Sequence, residues 1–428
     1  MTTLSPRRIL LVDADAFFVA VARQEDPEGA GQATLLIVGG RPGSRGVVCS
    51  ASYECRAYGV RSAMPISRAL KLCPQATCVP VPRGACSARS REIQQVLATF
   101  APVVQASSID EWYCDMGGTE ALYGQESLEA TAHRIRDAVF AATGLTVSIG
   151  GGTSRLVAKM AVELAKPKPG TGATGVRCVP PGEEAGFLSP FRLADLPMVG
   201  PRFSATLERM GLDTIADAQR WSVTDLQSRL GERAGAWLHR RVRGIDDSAV
   251  TPREVQKQVS REDTFGRDLH DDEQLERELL RLAVRVSADL RRQGLRAKTV
   301  TVKLKDADFK TRSAQRTLAH PIESEKSVIK AARVLFRALR GKRRVGVRLL
   351  GIGLSHFDDE PDGTAPAVQL GFFAPPPAPA HEGEPVESAK DRALTRALDR
   401  IRDRYGSTAI LPARLVDQAR DTGPRVEE

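Results

Sequence analysis

Two short carboxylate clusters stand where apolar strands meet loops. Asp13 and Asp15 follow Ile9-Leu10-Leu11-Val12, and Asp110-Glu111 follow Ile109 at the head of a second apolar run. A carboxylate beside a hydrophobic core is costly to desolvate unless a partner offsets its charge. A divalent ion is such a partner, because Mg²⁺ takes oxygen ligands and keeps room for water and phosphates. Two such ions about 3.5–4 Å apart activate a hydroxyl and stabilise a leaving pyrophosphate. Either pair by itself reads as surface or capping acids; the two together, with a basic region downstream, point to metal binding. Ser50, Tyr53 and Arg56 are spaced i, i+3, i+6 and so are expected on one helical face. Arg56 offers a bidentate grip on phosphate and Tyr53 an O–H donor. Lys166, just before Pro167, adds a cation at a helix end. No GxxxxGK[ST] run is present, which argues against a P-loop NTPase.

These side chains need elements to position them. Residues 8–12, 34–38 and 47–49 read as short strands. From Ser50 to Leu72 the pattern predicts a helix, a turn at Tyr58-Gly59 and a second helix stopped by Pro74. Arg89–Phe100 is an amphipathic helix, and Val103–Asp115 two strand pieces joined at Ser107-Ser108. A helix over 127–143, a strand over 145–149 and a helix over 154–164 complete an α/β-type layered core. Residues 186–245 read as all-helical. Within them Leu196-Pro197-Met198-Val199-Gly200-Pro201 resembles a helix-hairpin-helix, which presents backbone N–H groups to a phosphate. Met198 stands where such hairpins usually have glycine, so a phosphate-binding hairpin and a purely structural one both stay open. Residues 255–356 give the order β-α-β-β-α-β. Residues 358–388, rich in Pro, Gly, Ala and acids, read as a flexible linker. Ser388–Tyr405 reads as a helix with Leu394, Leu398 and Ile401 on one face.

Charge is unevenly spread over the 428 residues. The whole chain carries +9, but residues 291–350 hold 18 Lys/Arg against four acids, a net of +14. Residues 358–428 carry a net of −5. In the strand from Lys298 to Lys305, Val300, Val302 and Leu304 face one way while Thr301, Lys303 and Lys305 face the other. One apolar and one basic face on a sheet point to an extended anionic partner, with nucleic acid the default candidate. Lys298, Lys303, Lys305, Arg312 and Arg316 are the candidate DNA contacts. Seven cysteines with no CxxC pair, and six scattered histidines, suggest reduced thiols and no zinc site. No apolar run approaches the roughly 18 residues of a membrane span, so a soluble intracellular protein is expected.

Four sequence blocks then match a family. VDADAFF (12–18), SASYECRAYGVRSAMP (50–65), SIDEWYCD (108–115) and LAKPKPG (164–170) resemble, in order and spacing, the Y-family translesion DNA polymerases, most closely the DNA polymerase IV branch. The resemblance covers about residues 8–357. It implies a multidomain α/β and α+β fold shaped like a right hand. The palm would be 1–20 with 75–172, small fingers 21–74, a helical thumb 173–247 and a β-α-β-β-α-β little finger 248–357. A linker over 358–388 and a helical tail over 389–428 would follow. It also implies two Mg²⁺ ions, with Mn²⁺ a possible substitute, held by Asp13, Asp110, Glu111 and the Ala14 carbonyl. Asp15 matches a motif acid that is not a principal ligand. Phe18 matches the steric gate, the ring that clashes with a ribose 2′-OH. Ser50 (commonly Thr), Tyr53, Arg56 and Lys166 match the triphosphate contacts, and Ser108 lies beside the carboxylates. Trp112 departs from the pattern: a small residue commonly follows the Asp-Glu pair.

The implied activity is template-dependent, low-fidelity addition of deoxynucleotides to a primer 3′-OH with release of pyrophosphate, in DNA damage tolerance. The implied partners are primer–template DNA, dNTP and the bacterial sliding clamp (beta subunit), with the enzyme a cytoplasmic, nucleoid-associated monomer. Gln369-Leu370-Gly371-Phe372-Phe373 resembles the pentapeptide by which bacterial polymerases dock on that clamp; a chance apolar cluster is the other reading. Two further functions stay open. A clamp-bound DNA scaffold without activity would resemble family members that have lost the carboxylates, which this chain keeps. A nucleotidyl cyclase would not need the +14 block.

Overall fold

The computed structural model describes residues 6–167, 172–252, 256–358, 387–406 and 408–415. The chain divides into two units, Met1–Glu254 and Val255–Glu428. The strands of the first are β1 (Ile9–Ala14), β2 (Leu36–Gly39), β3 (Val48–Ala51), β4 (Thr77–Val79), β5 (Val103–Ala106), β6 (Glu111–Asp115), β7 (Val147–Gly152) and β8 (Val176–Cys178). Those of the second are β9 (Gln258–Leu269), β10 (Arg296–Asp306), β11 (Thr311–Ile322) and β12 (Val347–Asp358).

In the first unit a five-stranded sheet has the order β5-β6-β1-β7-β8. The apolar β1 is buried at its centre and pairs antiparallel with β6 and β7, which sets Asp13 opposite both Glu111 and Ser148. Strand alternation divides the sheet into two faces. Leu10, Val12, Trp112, Cys114 and Ile149 pack against the helices Arg83–Phe100 and Leu128–Thr143. Ile9, Leu11 and Tyr113 face the helix Arg155–Ala165 through Ala158 and Val162. That helix lies flush on β7 because Gly150 has no side chain: a Cβ there would stand 2.2 Å from the Ala158 carbonyl oxygen.

A three-stranded sheet, β3-β2-β4, carries the short helices Tyr53–Ala57 and Ile66–Leu72 over a small core that includes Ile37, Val48, Cys55 and Ile66. Here the structure corrects one expectation. The helix begins at Tyr53, not Ser50, because the Ser52 hydroxyl accepts from the Cys55 N–H and caps it. Ser50 stays in β3 opposite Val38, so it does not share a helical face with Tyr53 and Arg56.

Short helices between Glu184 and Arg241 share a core, including Leu207, Ile215, Leu226 and Leu238, with Leu156 and Met160 of the helix Arg155–Ala165. Met198 occupies the left-handed region at φ 74° and is 81 % exposed, just before the Gly200 that starts the helix Pro201–Arg209. The hairpin therefore holds its turn with methionine in the glycine position, a strain of roughly 1–2 kcal/mol.

In the second unit the sheet order is β11-β10-β12-β9, with the helices Asp272–Arg292 and Glu325–Lys342 sharing its apolar face. The chain order is the expected β-α-β-β-α-β. Val300, Val302 and Leu304 are buried on the helix side. Lys303 and Lys305 alternate with them on the open side; Lys303 bonds Glu262 at 2.9 Å and Lys305 stands 5.9 Å from the Phe309 ring centre. Lys298 lies 3.8 Å from Asp358. Arg312 and Arg316 are placed differently. The register sets them opposite Leu304 and Val300, on the helix side of the sheet. Arg312 makes two 2.9 Å bonds to Asp306, which has no exposed surface and also accepts from Arg343 at 2.7 Å. Much of the +14 block is spent on such pairs within the unit, including Arg340–Asp272 and Arg337–Glu276, so the sequence density overstates the basic field.

Burial works to raise the Asp306 pKa, but Arg312 and Arg343 outweigh it and hold the carboxyl below the ordinary aspartate range. A depressed carboxyl stabilises the fold above the unfolded value near 4, and that contribution is lost as pH falls through the folded value. Asp306→Asn should therefore destabilise this unit by about 2 kcal/mol at pH 7, measured by urea unfolding. The gap to the wild type should close below pH 4; a gap independent of pH would disprove the ionic assignment.

The helix Ala389–Tyr405 belongs to the same unit, capped by Ser388 and Asp391 in a capping box. It turns its polar side inward: Thr395 and Arg402 are buried, while Leu394 and Ile401, expected to mark an apolar face, look out. All seven cysteines are free thiols, and burial pushes that of Cys114 up to about 12. Among the described residues no helix is long and apolar enough to cross a membrane.

Candidate active site

The site forms where β1, the 107–110 turn and the helix Arg155–Ala165 meet. The Ala14 N–H donates to the Asp110 carbonyl at 2.9 Å and the Asp15 N–H to Thr146 at 3.0 Å, so backbone bonds fix the end of β1. Ala16 then adopts a left-handed conformation at φ 46°, ψ 41°, and the chain turns at once into the helix Phe17–Glu25. This sharp exit places Phe18 in the first helical turn after the carboxylates. Its ring meets Phe17 edge-on, with centroids 5.6 Å apart.

Asp13 and Glu111 are cross-strand neighbours on the face that meets the helix Arg155–Ala165, and that helix answers them with cations. Lys166 Nζ lies 3.0 Å from Asp13 Oδ2 and 2.9 Å from Glu163. Lys159 donates to Glu111. Burial pushes the Asp13 carboxyl up to about 7, with Lys166 pulling it back. Burial also opposes the charge on both lysines, yet the adjacent carboxylates outweigh it and hold them above the ordinary lysine value. Asp110 stands one residue before β6, in a turn where the Ser107 N–H donates to Glu111 at 2.8 Å and the Ser108 hydroxyl donates to the Asp110 carboxylate. Asp15 plays a different part. It is buried and accepts from Ser148 at 2.7 Å, tying β1 to β7.

The three-stranded sheet brings a second group to this place. Burial and the Asp15 carboxylate raise the Tyr53 phenol, while Arg56 and Lys166 oppose them and Asp13 adds to the rise. Tyr53, Arg56, Lys166 and the β1 acids thus share one electrostatic neighbourhood. The Arg56 guanidinium lies 4.7 Å from the Tyr53 ring centre and is braced by a 3.0 Å bond from Nε to the Ala51 carbonyl, which leaves its outer nitrogens for an anion. Ser50 is buried in β3.

The donor set suits a hard divalent ion, since three carboxylates and a backbone carbonyl are all oxygen ligands. As placed, no three His, Cys, Asp or Glu side chains among the described residues converge on one point. The Asp110 carboxylate accepts from the Ser108 hydroxyl. Sequence reasoning missed Lys159; its spacing of seven from Lys166, with Glu163 between, marks a helical face that could have revealed it. The candidates Gln369, Leu370, Phe372 and Phe373 lie outside the described residues.

The impB/mucB/samB family matches residues 12–163, and its C-terminal domain 256–370. The DNA polymerase-iota thumb domain matches 194–246. The chain is 34 % identical over 411 residues to the DNA polymerase IV of Dehalococcoides mccartyi (strain CBDB1), covering 96 % of this chain and 98 % of that one. It belongs to the Y family of DNA polymerases. The DNA polymerase IV of Desulfatibacillum aliphaticivorans is 36 % identical over 409 residues, 95 % of this polymerase and 96 % of that one. The fold agrees: a Y-family DNA polymerase chimera of Dbh and Dpo4 superimposes with a TM-score of 0.72 at 24 % identity, over 82 % of this chain and 98 % of that one. The fold is that of a polymerase with palm, fingers, helical thumb and little finger.

Proposed function

We propose that this DNA-directed DNA polymerase adds deoxynucleotides across damaged template by two-metal catalysis. The single observation behind this reading is the pairing of Asp13 with Glu111 across β1 and β6, beside Asp110 and under the cations of one helix. Asp13, Asp110, Glu111 and the Ala14 carbonyl would hold two Mg²⁺ ions, or Mn²⁺ in their place. When bound, the ions supply activation of the primer 3′-OH and charge stabilisation of the leaving pyrophosphate. The chain's own residues do the rest. Lys166, Arg56, Tyr53 and Ser50 hold the triphosphate from two sheets, and burial of Asp13 keeps the carboxylates dependent on nearby positive charge. The domain limits that follow are palm 1–20 with 75–172, fingers 21–74, thumb 173–247 and little finger 248–357. Lys298, Lys303 and Lys305 would meet the DNA backbone, and Arg312 and Arg316 would support the sheet. The test is primer extension with one dNTP at a time, in Mg²⁺ and in EDTA. Template-directed addition that needs the ion is expected; none by the intact protein, with DNA binding kept, would make it a scaffold.

Phe18 would select against the ribose 2′-OH. Phe18→Ala should raise ribonucleotide incorporation relative to deoxynucleotide about tenfold or more, read from kcat/KM for each. Unchanged discrimination would remove the gate from this residue. Gln369, Leu370, Phe372 and Phe373 would dock on the sliding clamp of a monomeric, cytoplasmic enzyme working at the nucleoid. Alanine at Gln369, Phe372 and Phe373 should abolish clamp-stimulated synthesis and leave basal synthesis as it is; stimulation at the wild-type level would count against the peptide.

A further inference from the structure

The helix Ala389–Tyr405 docks by the wrong side for an ordinary amphipathic helix. Apolar faces usually bury and polar faces meet water. Here Asp399 receives two bonds from Arg291, at 2.5 and 2.8 Å. Arg402 bonds Glu325 at 3.0 and 3.3 Å, and Lys326 reaches Asp391 at 3.0 Å. The Glu387 carboxylate, just ahead of the helix, accepts from the Glu323 and Ser324 N–H groups. This set of ionic contacts fixes the helix's rotation and leaves its apolar residues outside. Leu394 is 58 % exposed, Ile401 36 % and Tyr405 67 %, with Leu398 half-buried between them.

Their spacing decides what could cover them. Steps of four, three and four from Leu394 to Leu398, Ile401 and Tyr405 form a heptad seam, the pattern that receives knobs from a second helix. One flank of the seam is taken by Thr395 and Arg402, which face the protein's own domain. The other is open and basic: Lys390 and Arg404 are exposed, and the Arg404 guanidinium lies 5.4 Å from the Tyr405 ring centre. A second copy of this chain would bring the same cations against them, which disfavours self-pairing. Duplex DNA has no apolar surface to match the seam.

We infer that the exposed seam Leu394-Leu398-Ile401-Tyr405 is a docking site for one amphipathic helix of a partner protein, apolar at its seam positions and carrying Asp or Glu on the flank that meets Lys390 and Arg404. Apolar contact sets the register and the flanking charges select the partner. The site borders the ionic contacts along its Thr395–Arg402 flank and is open along the Lys390–Arg404 flank.

The test uses the full chain and two labelled synthetic peptides, each of three heptads with Leu at the seam. One carries Glu at the flanking positions and the other Lys. By fluorescence anisotropy the Glu peptide should bind saturably, and more weakly as salt rises. Leu394→Asp with Ile401→Asp should weaken it about tenfold or more, and circular dichroism checks that both variants fold. Lys390→Glu with Arg404→Glu, which leaves the seam intact, should exchange the preference so that the Lys peptide binds better. No saturable binding of the Glu peptide, or binding indifferent to both pairs of changes, overturns the inference. Concentration-dependent dimerisation lost in Leu394→Asp with Ile401→Asp would assign the seam to a second copy instead. Loss of duplex DNA affinity in Lys390→Glu with Arg404→Glu, with no peptide bound, would assign the face to DNA.

Discussion

Asp110→Ala should lower the rate of nucleotide addition by about 10³-fold or more, with primer–template affinity close to that of the wild type. The size of the effect follows from what the group would do. A carboxylate that would hold a metal ion acts on the reacting atoms, so its loss would fall on the chemical step. The DNA contacts proposed for Lys298, Lys303 and Lys305 lie in the second unit and do not involve it. Asp110 is also the cleanest of the three acids to remove. Asp13 and Glu111 are each bound to a lysine, and removing either strands a cation. Among the described residues the Asp110 carboxylate accepts from the Ser108 hydroxyl, and the Asp110 N–H donates to that same hydroxyl. Single-turnover extension and DNA binding, measured on the same preparation, separate the two quantities. Turnover within tenfold of the wild type would show that Asp110 is not a metal ligand.

The second large effect is one of stability. Trp112 is fully buried on β6, one residue from Glu111, in the cluster that includes Val12 and Phe17. Trp112→Ala should destabilise the first unit by about 3–5 kcal/mol, through lost apolar burial and the cavity left behind. The indole Nε1 is buried with no hydrogen-bond partner among the described residues, an unusual cost for a native core. Trp112→Phe removes that cost along with part of the ring, so its loss should be clearly smaller than that of alanine. Thermal unfolding of both variants gives the comparison. Equal losses would overturn this account, since phenylalanine keeps most of the ring volume that alanine removes, and an alanine variant as stable as the wild type would show that the core closes around the gap.

Local patterns carried much of this structure. The unbroken apolar run Ile9–Val12 and the alternation in Val300–Leu304 were enough to place strands, because a strand covered on both faces is apolar throughout and one covered on a single face has a period of two. Asp13, Asp110 and Glu111 were legible as acids in apolar company, and two of them do meet across a strand pair. What stayed hidden depended on pairing between distant segments. Nothing within β11 reveals that Arg312 lies opposite Leu304, so its charge looked available when it is bound to Asp306. Lys159 gained its meaning only when the helix settled on Gly150 and came to face Glu111. The tail helix was legible as a helix with Leu394, Leu398 and Ile401 on one face, but not which side would dock, because ionic contacts from Arg291 and Glu325 set that.

That same tail changes the topology of what precedes it. β12 ends at Asp358, and the chain is fastened again at Glu387 to the backbone of Glu323 and Ser324. Residues 359 to 386 therefore join two points that are held on one domain. Loop-closure entropy grows only with the logarithm of length, so doubling such a connection would cost only about 0.6 kcal/mol. Lineages could lengthen or shorten this stretch, and change how far it carries whatever it displays, with little effect on the fold that holds it.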